Sequence, residues 1–184
     1  GHKVYAPKGI GALYVRAPLM PEKFCYGAGQ EMGWRGGTEN VLEIVGLGKA
    51  CEIAQRDLQK NMAHMKFLRD RLQTGLLDRI SGIRLNGHLQ HCLPNTLSIS
   101  FKGQEASRIL EDIGLEVAAS AGAACHADSV EISHVLEAMR VPLEWAKGTL
   151  RFSVGRMTTE AESEETIRVV AEAVNPNPDN LSRS

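Results

Sequence analysis

The spacing of apolar residues changes period several times along the chain, and each change marks an element. GIGALYV, residues 9–15, is a short apolar run behind a Pro-Lys-Gly turn and predicts a strand. Residues 17–40 carry Pro18, Pro21 and glycines at 27, 29, 33, 36 and 37, so they read as loop. From Asn40 the apolar positions recur at helical spacing: Val41, Ile44, Val45, Leu47, Cys51, Ile53, Ala54, Leu58, Met62, Met65, Leu68 and Leu72. Asn40 with Glu43 has the form of a capping box at the start of this long helix. Gly46 and Gly48 weaken its first turns and make a break there an expectation.

Beyond about residue 80 the texture changes. NTLSISFK (95–102) and TLRFSV (149–154) alternate with a period of two and predict strands. Residues 104–113 predict a short helix ended by Gly114, LEVAA (115–119) a strand, and VEISHVLEAM (130–139) a helix. Thr159 with Glu162 forms a capping box, and Ile167, Val170 and Val174 make the buried stripe of the helix behind it. The polar, proline-broken tail over 176–184 predicts disorder. The order is strand, loop and long helix, then a small α+β unit, with no internal repeat. The first strand cannot stand alone and needs a sheet supplied by another chain or another part of the protein.

Composition narrows the class. Across 184 residues, 43% hydrophobic and 23% charged content is that of a globular protein. A formal net charge of -1 gives no reason to expect nucleic acid or an acidic membrane surface as partner. No apolar run reaches the roughly 18 residues of a membrane span. Cys25, Cys51, Cys92 and Cys125 are widely spaced and form no CxxC pair, which suits a reducing, cytoplasmic compartment. His88, His91 and Cys92 lie close together but lack a fourth ligand, so no metal site is expected. Cys25 and Cys51 read as core or loop residues, and Met62 and Met65 as helix-face packing.

The chemistry-bearing residues sit in four segments. His2-Lys3 precedes Pro7-Lys8-Gly9 and the run Gly11-Ala12-Leu13-Tyr14. GAGQE (27–31) is followed by RGGTEN (35–40), SAGAACHAD spans 120–128, and RFSVGRMT spans 151–158. A lysine amine does chemistry when desolvation or a neighbouring cation lowers its pKa, because the free amine then forms a Schiff base. Cys125 follows a run of small residues, Ser120 to Ala124, suited to a loop that swings a sulfur. His126 beside it is a candidate influence on the thiol.

In this order the four segments resemble the cysteine desulfurase and selenocysteine lyase family, pyridoxal-phosphate enzymes of fold type I in the class V aminotransferase group. The resemblance extends to about residue 175. It implies an α/β fold: the end of the large domain over 1–55, then a small carboxyl-terminal α+β domain over 56–175 that includes the bridging helix. It implies that Lys3 holds pyridoxal 5'-phosphate and moves protons, that His2 hydrogen-bonds the cofactor phosphate, and that Thr38 donates to the phosphate of a neighbouring subunit's cofactor in a homodimer. It implies that Arg151 grips the substrate carboxylate through its planar fork. Cys125 then takes sulfur from L-cysteine as a persulfide, leaves L-alanine, and hands the sulfur to an acceptor such as an iron–sulfur scaffold protein.

Two other readings stand beside this one. Ala-Ala-Cys-His at 123–126 also resembles the selenocysteine lyase branch, which acts on L-selenocysteine. Family members run to about twice this length, and the ring-stacking histidine, the aspartate at the pyridine nitrogen and the main phosphate loop have no counterpart in this sequence. A non-catalytic piece that binds a partner is therefore the third reading.

Overall fold

The computed structural model describes residues 1–126 and 129–175, and for 123–126 and 129–131 the backbone alone. The expected disordered tail, 176–184, lies outside the described residues. The chain forms two compact units, Gly1–Leu58 and Gln59–Ser184, and the division falls inside the long helix.

The first unit begins with a 3-10 turn, His2–Val4, and continues as irregular chain to a second such turn, Glu31–Gly33. Residues 10–16 adopt no regular structure, which corrects the strand expected over 9–15. A strand needs a neighbouring strand to pair with, and among the described residues of this unit residues 9–15 have only the single bond from the Gly1 amino group to the Ile10 carbonyl, at 2.7 Å. Leu13 and Tyr14 are accordingly 80% and 85% exposed.

Helix α1, Val41–Arg79, is one unbroken run of 39 residues, so the break expected at Gly46 and Gly48 does not occur. Glu43 N–H donates to Asn40 Oδ1 at 3.4 Å and caps its start. Gly46 has a packing reason: a Cβ there would come within 2.8 Å of Pro7 Cγ, so the missing side chain admits the proline ring. The apolar stripe of α1 is buried only toward its end, at Leu68, Leu72 and Leu76. Within the first unit no second layer of regular structure covers Val41, Leu42 and Val45, and they are exposed. Cys51 is exposed on the helix, neither core nor loop, and Met62 is partly exposed rather than packed.

The second unit is a sheet of four antiparallel strands with helices on one face. After α1 come β1 (Ile83–Leu85), β2 (Thr96–Phe101), α2 (Ala106–Ile113), β3 (Ser120–Ala121) and β4 (Ala123–His126). β5 (Ser129–Ile132), α3 (His134–Ala138), α4 (Leu143–Ala146), β6 (Thr149–Ser153) and α5 (Glu160–Val174) follow. The sheet order is β1-β2-β6-β3, and β4 pairs with β5 as a separate hairpin.

Alternation along β2 and β6 sorts the sheet into two faces. Leu97 faces Phe152 and Ile99 faces Leu150 across the strands, and with Phe101 they are buried. Against them pack Leu76 of α1, Ile109 and Ile113 of α2, and Ile167 and Val170 of α5. The other face pairs Thr96 with Ser153, Ser98 with Arg151 and Ser100 with Thr149. The capping box of α5 is complete: Glu162 N–H donates to Thr159 Oγ1 at 3.2 Å, and Thr159 N–H donates to Glu162 Oε2 at 2.7 Å.

Two expectations in this unit are corrected. Residues 115–116 form a turn and the strand lies at 120–121, because β6 offers pairing only to Ser120 and Ala121. Residues 130–132 belong to β5, not to a helix, because they pair with β4, and the helix starts only after Ser133, whose Oγ accepts from Val135 N–H at 3.3 Å. A single sequence does not show cross-strand partners, and both errors arise there.

Candidate functional site

The polar face of the sheet is built by alternation, and Arg151 stands in its middle. Leu150 and Phe152 point into the core, which directs the intervening Arg151 outward, where it is exposed. β6 lies between β2 and β3, so Arg151 is flanked in register by Ser98 on one side and Ser120 on the other. Arg151 Nη2 donates to Ser120 Oγ at 3.2 Å. No carboxylate pairs with Arg151 among the described residues.

Beneath this face runs a directed chain of hydrogen bonds. Asn86 Nδ2 donates to Ser100 Oγ at 2.7 Å, Ser100 Oγ lies 2.7 Å from Thr149 Oγ1, and Thr149 Oγ1 donates to the Trp145 carbonyl at 3.1 Å. Ser100 and Thr149 are buried, and each hydroxyl is satisfied by the next. The chain ties Asn86, the residue after β1, to β2, β6 and α4 beside Arg151.

The same strand holds the root of the segment that contains Cys125. Gly122 N–H donates to the Thr149 carbonyl at 2.7 Å, and Ser133 N–H donates to the Gly122 carbonyl at 3.0 Å. A Cβ at Gly122 would stand 2.8 Å from Thr149 Cβ and 2.9 Å from Leu136 Cδ1, so only glycine fits. The hairpin of β4 and β5 springs from this point, with Cys125 opposite Val130. The side chains of Cys125 and His126 lie outside the described residues.

In the first unit, His2 and Lys3 share the 3-10 turn, closed by Val4 N–H and Ala6 N–H on the Gly1 carbonyl at 3.0 and 3.2 Å. Tyr5 leaves the turn in a left-handed conformation, φ 65°. Lys3 and His2 are exposed and neither makes a side-chain hydrogen bond or ion pair among the described residues. Thr38 is exposed and likewise unpartnered among them; Asn40, not Thr38, caps α1.

The glycine-rich loop before Thr38 is held by close backbone approach. Gly36 N–H donates to the Cys25 carbonyl at 3.2 Å, and a Cβ at Gly36 would stand 2.7 Å from Gly27 Cα. Gln30 Oε1 accepts from Gly37 N–H at 3.2 Å. Glu31 and Met32 adopt left-handed φ of 51° and 58° in succession, strain of the kind that collects at ligand-holding loops.

The sequence-predicted residues thus fall into two sets, His2, Lys3 and Thr38 in the first unit, and Arg151 with the Cys125 hairpin in the second. Sequence reasoning missed Ser98, Ser100, Ser120 and Gly122. The signal was present in LSIS, where serines alternate with core residues, but its partner strand was not visible. Among the described residues no cluster fit for a metal ion exists. His88 Nδ1 accepts from Gln90 and His91 N–H groups, both at 3.0 Å, and Cys92 Sγ accepts from Arg69 Nη1 at 2.6 Å. No helix among the described residues is long and apolar enough to cross a membrane.

Residues 1–165 match the family model of the class-V aminotransferases. Cysteine desulfurase 2 of Trichormus variabilis is 46% identical over 171 residues, 92% of this chain and 43% of its own length. Cysteine desulfurase IscS of Klebsiella pneumoniae is 42% identical over 176 residues, 95% of this chain and 43% of its own. Among solved structures, a NifS-like protein superposes with a TM-score of 0.81 at 35% identity, over 93% of this chain and 43% of that one. A NifS-like protein from Rickettsia africae superposes with a TM-score of 0.74 at 29% identity, over 84% of this chain and 40% of that one. This chain therefore spans less than half the length of the relatives it matches.

Proposed function

This chain belongs to the class-V aminotransferase family, and on that premise we propose that the protein carrying it is a cysteine desulfurase that uses pyridoxal 5'-phosphate. The observation that carries the reading is the placement of Arg151: an exposed guanidinium with no carboxylate partner among the described residues, on the strand that anchors the root of the Cys125 hairpin. Relatives bearing the name cysteine desulfurase, at 42–46% identity, support it.

The donor set fits the cofactor. His2 and Thr38 offer an imidazole N–H and a hydroxyl, suited to a phosphate, and Lys3 offers an amine to an aldehyde. None of the three is engaged elsewhere among the described residues. When bound, the cofactor supplies an electron sink that acidifies the substrate's Cα–H bond and loosens its Cβ–S bond.

The chain's own residues would do the rest. Lys3 would hold the cofactor through its amine and move the proton at the substrate Cα. Arg151 would take the α-carboxylate in a bidentate grip. Cys125, as thiolate, would attack the substrate sulfur; the new S–S bond forms as the Cβ–S bond breaks. Protonation at Cβ gives L-alanine, and the sulfur stays on Cys125 as a persulfide for transfer to an acceptor such as an iron–sulfur scaffold. Thr38 would serve the cofactor of a second copy in a homodimer.

The test is to supply pyridoxal phosphate and L-cysteine to the protein, and to measure alanine and protein-bound persulfide in wild type, Lys3→Ala and Cys125→Ser. Alanine formation should require Lys3, and persulfide should require Cys125. Persulfide at the wild-type level in Cys125→Ser would overturn the reading.

A further inference from the structure

We propose that Ser120 is a positioning residue that aims the Arg151 guanidinium at the substrate carboxylate. The inference rests on the reading of Arg151 as the carboxylate-binding group. Arginine carries a long side chain with many rotamers, and an exposed one must be ordered before it can offer both arms of its fork to a carboxylate. On this face the ordering contact among the described residues is Ser120 Oγ, which accepts from Nη2 at 3.2 Å.

Three features make that contact a device rather than an accident of the surface. Ser120 is the cross-strand partner of Arg151, so the two side chains rise from one rung of the sheet. Its register is locked by the next residue but one, because Gly122 N–H donates to the Thr149 carbonyl at 2.7 Å. The partner is neutral: a hydroxyl occupies one of five N–H donors and leaves the charge uncompensated, where a carboxylate at 120 would compete with the substrate. On the opposite flank the rung holds Ser98, also small, which leaves space over the guanidinium.

A hydroxyl that preorganises the fork lowers the ordering cost of binding. The effect should therefore appear only with ligands that carry a carboxylate. The experiment uses the full, cofactor-loaded protein and compares wild type, Ser120→Ala, Ser120→Thr and Arg151→Ala. KM and kcat are measured with L-cysteine. Equilibrium binding is measured with L-alanine and with cysteamine, which lacks the carboxylate.

In Ser120→Ala, KM for L-cysteine and the dissociation constant for L-alanine should both rise about three- to tenfold, the range of one neutral hydrogen bond. The loss should fall on KM rather than kcat, cysteamine should bind as in wild type, and Ser120→Thr should restore L-alanine binding. Wild-type binding of L-alanine by Ser120→Ala, with Arg151→Ala defective, would overturn the role of Ser120 and leave Arg151 in place. Equal weakening of L-alanine and cysteamine would mark a general structural defect and also overturn it. Wild-type L-alanine binding by Arg151→Ala would overturn the carboxylate reading itself, and this inference with it.

Discussion

The backbone N–H of Gly122 donates to the carbonyl of Thr149 at 2.7 Å, two residues along β6 from Arg151. Nothing larger than glycine fits between Thr149 and Leu136. Gly122→Ala should therefore force the β4–β5 hairpin away from β6, and overpacking of this kind costs about 1–3 kcal/mol. Thermal unfolding should record the loss. Persulfide formation should fall more than cofactor binding does, because the displaced segment carries Cys125; an unchanged melting temperature would contradict the close fit.

Arg151→Lys keeps the charge and removes the planar fork. An ammonium meets a carboxylate as a point charge, without the bidentate geometry. KM for L-cysteine should rise about tenfold, the value of losing one charge-assisted hydrogen bond. Steady-state kinetics check this, and a KM equal to wild type would argue that Arg151 does not touch the carboxylate.

The buried hydroxyls of Ser100 and Thr149 satisfy each other at 2.7 Å. Thr149→Val removes the acceptor of the buried Ser100 hydroxyl, while the Trp145 carbonyl keeps Gly148 N–H at 3.2 Å; Ser100→Val takes the 2.7 Å acceptor from Asn86 Nδ2 and leaves it Ser98 Oγ at 3.4 Å. Each should destabilise the protein by about 1–3 kcal/mol. The double variant should cost less than the sum, since neither hydroxyl is then left facing an apolar partner. Denaturant titration of the four proteins tests the coupling.

Thr159→Ala removes the hydroxyl arm of the α5 capping box, and Tm should fall by about 3 °C. The box also sets a pH dependence. Thr159 N–H and its hydroxyl hold the Glu162 carboxyl below its ordinary 4.5, and a hydrogen bond from Arg168 holds Glu165 below 4.5.

For a carboxylate whose folded pKa is depressed, the stabilisation is full above the unfolded value and is lost as pH falls through the folded one. The stability gap between wild type and Glu162→Gln should thus be widest above pH 4.5 and close on acidification below it. Urea midpoints measured from pH 7 to pH 3 follow the gap, and a gap constant with pH would remove Glu162 from the linkage.

Legibility in the sequence tracks how local each feature is. The alternation of β2 and β6, the Thr159–Glu162 box and the Asn40 cap each depend on residues within a few positions, and all appear in the structure. Of the candidate site, the positions of Lys3, Cys125, His2, Thr38 and Arg151 came from short motifs. The serines around Arg151 did not, because their role depends on which strands lie beside β6.

The sequence alone determined the period of each segment, the helix caps and the residue types able to do chemistry, since local sterics and hydrogen bonding decide these. Tertiary structure decided which periodic segments are used and how. Apolar GIGALYV is not a strand because no neighbouring strand among the described residues pairs with it. VEI at 130–132 is a strand because β4 lies beside it. The stripe of α1 is exposed at Val41 and Val45 and buried at Leu68, Leu72 and Leu76, because Leu72 and Leu76 belong to the core under the sheet. Pairing and burial are contacts between residues far apart in sequence, so a hydrophobic pattern states what can be buried, and the fold states what is.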